Sequence, residues 1–187
     1  MSGEDKDLQL VRRIAGGDEM ALRALYAAYG QRLFAYAVRV TRDPTIAEDV
    51  LQESLVAAWQ GASRFRGQGR VIAWLLGIVH HKALNAIRGT SPARLEEEQE
   101  ELADDHVSLD EQMTEHEQAT LLRAGLESLS LKHRMALELV FYQGLNLNEV
   151  AEVCDCPVGT IKSRLNYAKA HLRRVLEQSG LKAEDLQ

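Results

Sequence analysis

Five bases, Lys162, Arg164, Lys169, Arg173 and Arg174, follow one another near the C-terminus, with no carboxylate between Thr160 and Arg174. Threaded among them, Ile161, Leu165, Ala168, Leu172 and Val175 recur at the spacing of one helix face. A helix that buries that stripe turns only positive charge to its other side, which is the chemistry of phosphate contact. Just upstream, Asn146 to Cys154 reads as a shorter helix with Leu147, Val150, Ala151 and Cys154 inward. Pro157 and Gly159 punctuate the turn, and Thr160 is placed to cap the second helix. Helix, tight turn and basic helix is the pattern of a helix-turn-helix DNA reader.

A second set joins aromatic rings to bases. Phe65-Arg66-Gly67-Gln68-Gly69-Arg70 is a loop with two glycines, followed by Trp74-Leu75, then His80-His81-Lys82, Asn85 and Arg88. Rings among cations beside a flexible loop can hold unstacked single-stranded bases. The competing reading makes Trp74, Leu75, Ile78 and Val79 plain core. His80 and His81 are neighbours that do not share a helix face, and neither has a carboxylate or thiol at i+4, which argues against a metal site. In a third set, Ile46, Val50, Leu55 and Trp59 face inward, so Asp49, Gln52 and Glu53 form an outward polar strip. That strip is either a solvated face or a docking surface for a partner with basic side chains. No GxGxxG, P-loop or HExxH occurs, and nothing places a nucleophile beside a base, so neither catalysis nor a cofactor is expected.

The elements that must position these residues are helical throughout. Leu8, Val11 and Ala15 begin a short helix that stops at Gly16-Gly17. Asp18 caps a long one whose inward face runs Leu22, Leu25, Tyr26, Tyr29, Leu33, Tyr36, Ala37 and Val40. Asp43-Pro44-Thr45 breaks it. Further helices are expected from about Ile46 to Trp59 and from Val71 to Arg88, the latter ended by Gly89-Thr90-Ser91-Pro92. A second helical unit starts near Gln118, with Leu121, Leu122, Leu126 and Leu129 in line. Its next helix covers about Leu131 to Gln143 and closes at Gly144.

Among 187 residues the net charge is −6, an odd balance for a nucleic-acid binder until it is divided. Residues 1–93 are net +3, residues 94–117 net −10 and residues 118–187 net +1. The acidity sits in the middle, in Glu96-Glu97-Glu98-Gln99-Glu100-Glu101 and Asp104-Asp105. Self-repulsion and few apolar residues make that stretch an extended linker. Residues 1–92, 93–117 and 118–187 are therefore expected as a first helical domain, an acidic linker and a helix-turn-helix domain. The two cysteines, Cys154 and Cys156, are too close for an unstrained bridge and are expected as reduced thiols. The polar start Met1 to Asp7 is not a signal peptide, and the longest apolar run, Val71 to Val79, is too short to span a membrane. A cytoplasmic protein without membrane insertion is expected.

Two motif groups, in this order, resemble the extracytoplasmic-function group of sigma-70-type RNA polymerase sigma factors. The first is Ala47-Glu48-Asp49-Val50-Leu51-Gln52-Glu53 leading to Trp59, Phe65-Arg66-Gly67 and Trp74-Leu75. The second is Gly144-Leu145, Glu149-Val150-Ala151 and Pro157 to Leu165. The likeness covers roughly Leu8 to Arg88 and Gln118 to Leu176. It implies an all-α chain of two small domains, one for the minus-ten and one for the minus-thirty-five promoter element. It also implies that Asp49, Gln52 and Glu53 dock on the clamp helices of the polymerase largest subunit, with a further contact to the flap of the second largest. Phe65, Arg66, Gly67 and Arg70 match the segment that captures a flipped non-template base. Lys82, Asn85 and Arg88 match the reader of the junction between duplex and single strand, and His81 stands at a position near the melted base. Thr160, Lys162, Ser163, Arg164, Asn166 and Lys169 match the major-groove reader. Where His81 stands the family often has Asn, and a histidine can likewise donate or accept a hydrogen bond. Core RNA polymerase, promoter DNA and an anti-sigma factor are the implied partners. On the same resemblance, the acidic linker threads the polymerase's RNA-exit channel.

Two other classes use part of these features. A stand-alone helix-turn-helix regulator explains the C-terminal motif but not the carboxylate strip or the aromatic loop. A helical adaptor would act through the acidic segment alone.

Overall fold

The computed structural model describes residues 3–90 and 115–178, and among these every regular element is helical. The expected acidic linker, with Glu96 to Asp105, lies outside the described residues. Helix α1 (Gly3–Ala15) ends at Gly16-Gly17 and is followed by α2 (Glu19–Thr41). Asp18 starts α2 by accepting hydrogen bonds from the Met20 and Ala21 amides at 2.9 and 3.2 Å. The Arg13 guanidinium, 2.7 Å away, holds the Asp18 carboxyl below its usual range, with the Ala21 amide adding to the effect.

Asp43-Pro44 is a start as well as a break. Asp43 accepts from the Thr45 and Ile46 amides, and Pro44 opens α3 (Pro44–Gly61), where its missing N–H costs nothing. A cap of this kind contributes about 1 kcal/mol. Helix α4 runs Val71–Thr90, so Gly89-Thr90 does not end it early as the sequence suggests.

Helices α1 to α4 form one compact unit, which also takes in Asn148–Cys156 and therefore nearly all of α7 (Leu147–Val153). Leu25, Leu33, Tyr36, Val50, Leu76 and Val79 are buried in it. One polar pair lies in this core: the Tyr36 hydroxyl sits 2.7 Å from Nδ1 of His80, which is 2% exposed. On α2 the expected inward Tyr26 is instead exposed. Its ring lies over Gly30, where a β-carbon would approach it to 2.6 Å. On α3 the buried face is Ala47, Val50, Leu51, Ser54 and Ala58, while Ile46, Leu55 and Trp59 are only half-buried. Ala47, Ser54 and Ala58 keep part of this face small, and it packs against α2 and α4.

The second unit holds α5 (Glu115–Ser128), α6 (Leu131–Leu137) and α8 (Val158–Gln178). Helix α6 passes without a break into a π turn, Glu138–Tyr142, where the Gln143 amide donates to the Glu138 carbonyl at 3.0 Å. Gly144 then takes φ +58° and the Leu145 amide reaches back to the Leu139 carbonyl, a glycine-dependent helix stop. The sequence pattern shows this helix but not its wider turn. Leu131, Met135, Leu139, Ile161, Leu165 and Ala168 form the core of this unit. Thr160 is not the cap of α8. The helix begins at Val158, and the Pro157 carbonyl already accepts from Thr160 and Ile161.

Candidate nucleic-acid interface

In the first unit, the outward face of α3 presents Asp49, Gln52 and Glu53, all exposed. Val56 continues the same stripe one turn on and is 55% exposed, an apolar member that the charge pattern did not reveal. Glu53 is not isolated. Its carboxylate lies 2.9 Å from the Lys82 ammonium of α4, so a residue read as a polymerase contact is joined to one read as a DNA contact.

Beyond α3, a 3₁₀ turn (Ala62–Arg64) and the loop to α4 build a concave site. Gly67 and Gly69 take φ of +71° and +83°, conformations that suit glycine and fold the loop back on itself. The open cavity that Gly69 helps line has a volume of about 570 Å³, within the range that holds a nucleotide-sized ligand. Phe65 and Trp74 stack on one another at its wall, centroids 4.9 Å apart and planes 29° off parallel. Arg64, Arg66, Arg70 and His81 also line it. Of the residues expected for the minus-ten element, Phe65, Arg66, Arg70 and His81 thus meet at one cavity. Gly67 shapes the loop, while Lys82, Asn85 and Arg88 lie further along α4 and do not line it. Trp74 is half-buried and does both jobs the sequence left open, packing on one side and lining the cavity on the other.

Helix α7 supplies the wall that sequence reasoning missed. Glu149 is buried, and its carboxylate takes a two-pronged ion pair from Arg70, with Nε and a terminal nitrogen at 2.6 and 2.5 Å. Glu152 and Val153 line the cavity beside it. A carboxylate 79 residues from its partner leaves no local trace in the sequence.

In the second unit, Lys162, Ser163, Asn166 and Lys169 lie on the exposed side of α8, with Thr160 and Arg164 half-buried at its edge. Ser163 turns its hydroxyl to the Thr160 carbonyl at 2.9 Å. The Lys169 ammonium rests 5.6 Å from the centroid of the exposed Phe141 ring. Along the flank, Tyr167 stacks on His133 at 4.3 Å and lies near parallel to His171 at 6.4 Å. Ser130 lies 2.7 Å from Nδ1 of His133, and Ser128 lies 2.8 Å from Nε2 of His171. Partial burial, then Arg164, His171 and Lys132, hold His133 below the usual imidazole range. Partial burial, then Arg174, does the same to His171. Both rings therefore hold a proton less readily than a free imidazole. The bases of α8 were legible, but this aromatic ladder was not, because His133 comes from another helix.

Among the described residues the chain combines two helical units, a helix-turn-helix segment and an aromatic, basic cavity, a set that suits contact with nucleic acid. The family models for Sigma-70 region 2 and Sigma-70 region 4 match residues 25–92 and 125–174. The RNA polymerase sigma-H factor of Pseudomonas aeruginosa is 30% identical over 95% of this chain and 97% of its own. The ECF RNA polymerase sigma factor SigK of Mycobacterium bovis is 30% identical over 91% of this chain and 93% of its own. Among solved structures, CnrH in complex with the cytosolic domain of CnrY shares 25% identity, with a TM-score of 0.67, over 92% of this chain and 97% of that one. The chain belongs to the extracytoplasmic-function sigma factors, transcription initiation factors of the sigma-70 family. No helix among the described residues is long and apolar enough to cross a membrane.

Proposed function

We propose that the chain acts in the cytoplasm by docking on core RNA polymerase through Asp49, Gln52, Glu53 and Val56 of α3. On this reading it opens the minus-ten element at the Phe65–Trp74 cavity and reads the minus-thirty-five element with the exposed side of α8. The observation that carries it is the cavity itself. It joins stacked rings, guanidinium groups and an imidazole, the set that holds an unstacked base and its phosphates. Lys82, Asn85 and Arg88 extend the same reading along α4 toward the junction with duplex. Clamp helices of the largest polymerase subunit suit the carboxylate strip, and the flap of the second largest is assigned to the helix-turn-helix domain. Residues 1–92 and 118–187 are taken as the two functional domains, with 93–117 as tether. An anti-sigma factor is the proposed inhibitor, supported by the partner-bound state of CnrH.

Transcription by core polymerase on fragments of the source genome tests the proposal. Discrete, chain-dependent start sites are expected. Sequence-specific duplex binding without polymerase, and no transcripts with it, would favour the stand-alone regulator. A second test reverses charge on the strip. Asp49→Lys with Glu53→Lys should weaken binding to core by a few kcal/mol while helicity is kept. Unchanged affinity removes the docking assignment.

A further inference from the structure

One cation of the loop that lines the cavity, Arg70, is already engaged. Arg70 offers its planar fork to Glu149 in a two-pronged pair, the geometry with which it would also clasp a phosphate. Glu149 is buried, so this is not a loose surface contact. Two further residues of the same short helix stand at the cavity. Glu152 presents a second carboxylate there, and a β-carbon on Gly69 would lie 4.0 Å from its Oε2. Val153 approaches Gly77 of α4 closely enough that a β-carbon there would lie 3.9 Å from its backbone. Both carboxylates of α7 thus stand where the negative charge of a nucleic-acid backbone would have to enter.

We propose that α7 is an internal occluder of the single-strand site, with Glu149 standing in for a phosphate on Arg70. The inference rests on the function proposed above. It adds that single-strand capture is conditional. Helix α7 holds Glu149 and Glu152 against the cavity, so a single strand must displace both carboxylates to enter, and the free chain holds single strands weakly.

The test uses the full chain and a short labelled single-stranded deoxyoligonucleotide of mixed sequence, followed by fluorescence anisotropy. Glu149→Gln should bind more tightly than wild type by on the order of 10-fold, since one charge-assisted clasp is released. Glu19→Gln, which removes the same charge from the exposed first turn of α2, controls for net charge. Adding Arg70→Gln to Glu149→Gln should abolish the gain. In a Trp59→Phe background, acrylamide should quench Trp74 more strongly in Glu149→Gln than in its parent. If Glu149→Gln loses helicity, Arg70→Gln reads the same contact from the other side, and Trp74 quenching must rise there. A gain no larger than that of Glu19→Gln, or unchanged quenching, overturns the occluder. A chain that supports transcription with core polymerase but shows neither effect loses only this inference. A chain inert with core polymerase loses the function beneath it.

Discussion

The cavity of the first unit and the exposed side of α8 in the second carry similar charges on opposite shapes. Around Phe65 and Trp74 the surface is concave, its rings are paired, and Arg70 is fixed by a buried partner. Along α8 the surface is convex, and Lys162, Ser163 and Asn166 stand outward on a straight scaffold. A concave aromatic site gains from a base that has left its stack. A convex basic strip fits a groove whose bases remain paired. The difference teaches that charge alone does not divide the two proposed tasks, since both regions are basic. The position of the rings does.

The largest effect expected from breaking this division is at Phe65. Phe65→Ala should cost promoter opening about 1–3 kcal/mol, the value of one stacked base. A pre-melted template should restore most of the loss, because it removes the need to capture the base during opening. Lys162→Ala should cost about 1–3 kcal/mol if it meets a base edge and less if it meets phosphate alone, with no rescue by pre-melting. Equal rescue of both variants would erase the contrast between the two surfaces.

Next in size is the buried Tyr36–His80 pair of the first unit. Tyr36→Phe leaves Nδ1 of His80 without the hydroxyl, and the first unit should lose about 1–3 kcal/mol in urea melts. A loss confined to the second unit would contradict this placement.

The aromatic ladder on α8 sharpens the comparison through pH. His133 and His171 have folded pKa values below the unfolded imidazole value of about 6.5. The unfolded chain therefore binds more protons as the solution is acidified. The stability contributed by these two groups is fully present above about pH 6.5 and is lost as pH falls toward the lower folded values. The thermal midpoint of the second unit should drop between neutral and mildly acidic buffer. His133→Gln with His171→Gln should flatten that dependence, and an unchanged slope would remove the assignment.

The smallest effect belongs to Glu53 and Lys82. Both are exposed, so a double-mutant cycle on stability should return about 0.2–1 kcal/mol. A much larger coupling would mean that the α3 strip and α4 act as one surface.

Much of this architecture is legible from local rules. Asp18 before an apolar-periodic run and Gly16-Gly17 behind it mark a helix boundary by chemistry that acts within a few residues. The bases of α8 are visible because a straight helix keeps its face for many turns. What escaped depends on distance or on subtle register. Glu149 reads as a surface residue until Arg70 meets it from far along the chain. Val56 looks like any apolar residue until the buried face of α3 proves to run through Ala47, Val50, Leu51, Ser54 and Ala58. Asp43-Pro44 was read only as a break, although the same two residues are a good cap and first position. Thr160 fits a cap by type, but Pro157 already supplies the first carbonyl. The cavity was legible in its members and not in its enclosure.

The π turn at Glu138–Tyr142 gives the second unit an evolutionary handle. Such a turn holds one more residue than a regular helix needs, and its wider winding takes up that residue's rotation of roughly 100°. Removing one residue there would let the α-helical ladder run on while the chain beyond keeps its facing. Phe141 and Tyr142 stand outward within the turn itself, with the Phe141 ring beside Lys169, so the deletion acts on this local placement. One in-frame deletion would thus alter an exposed aromatic pair and leave the aim of the rest of the unit as it was.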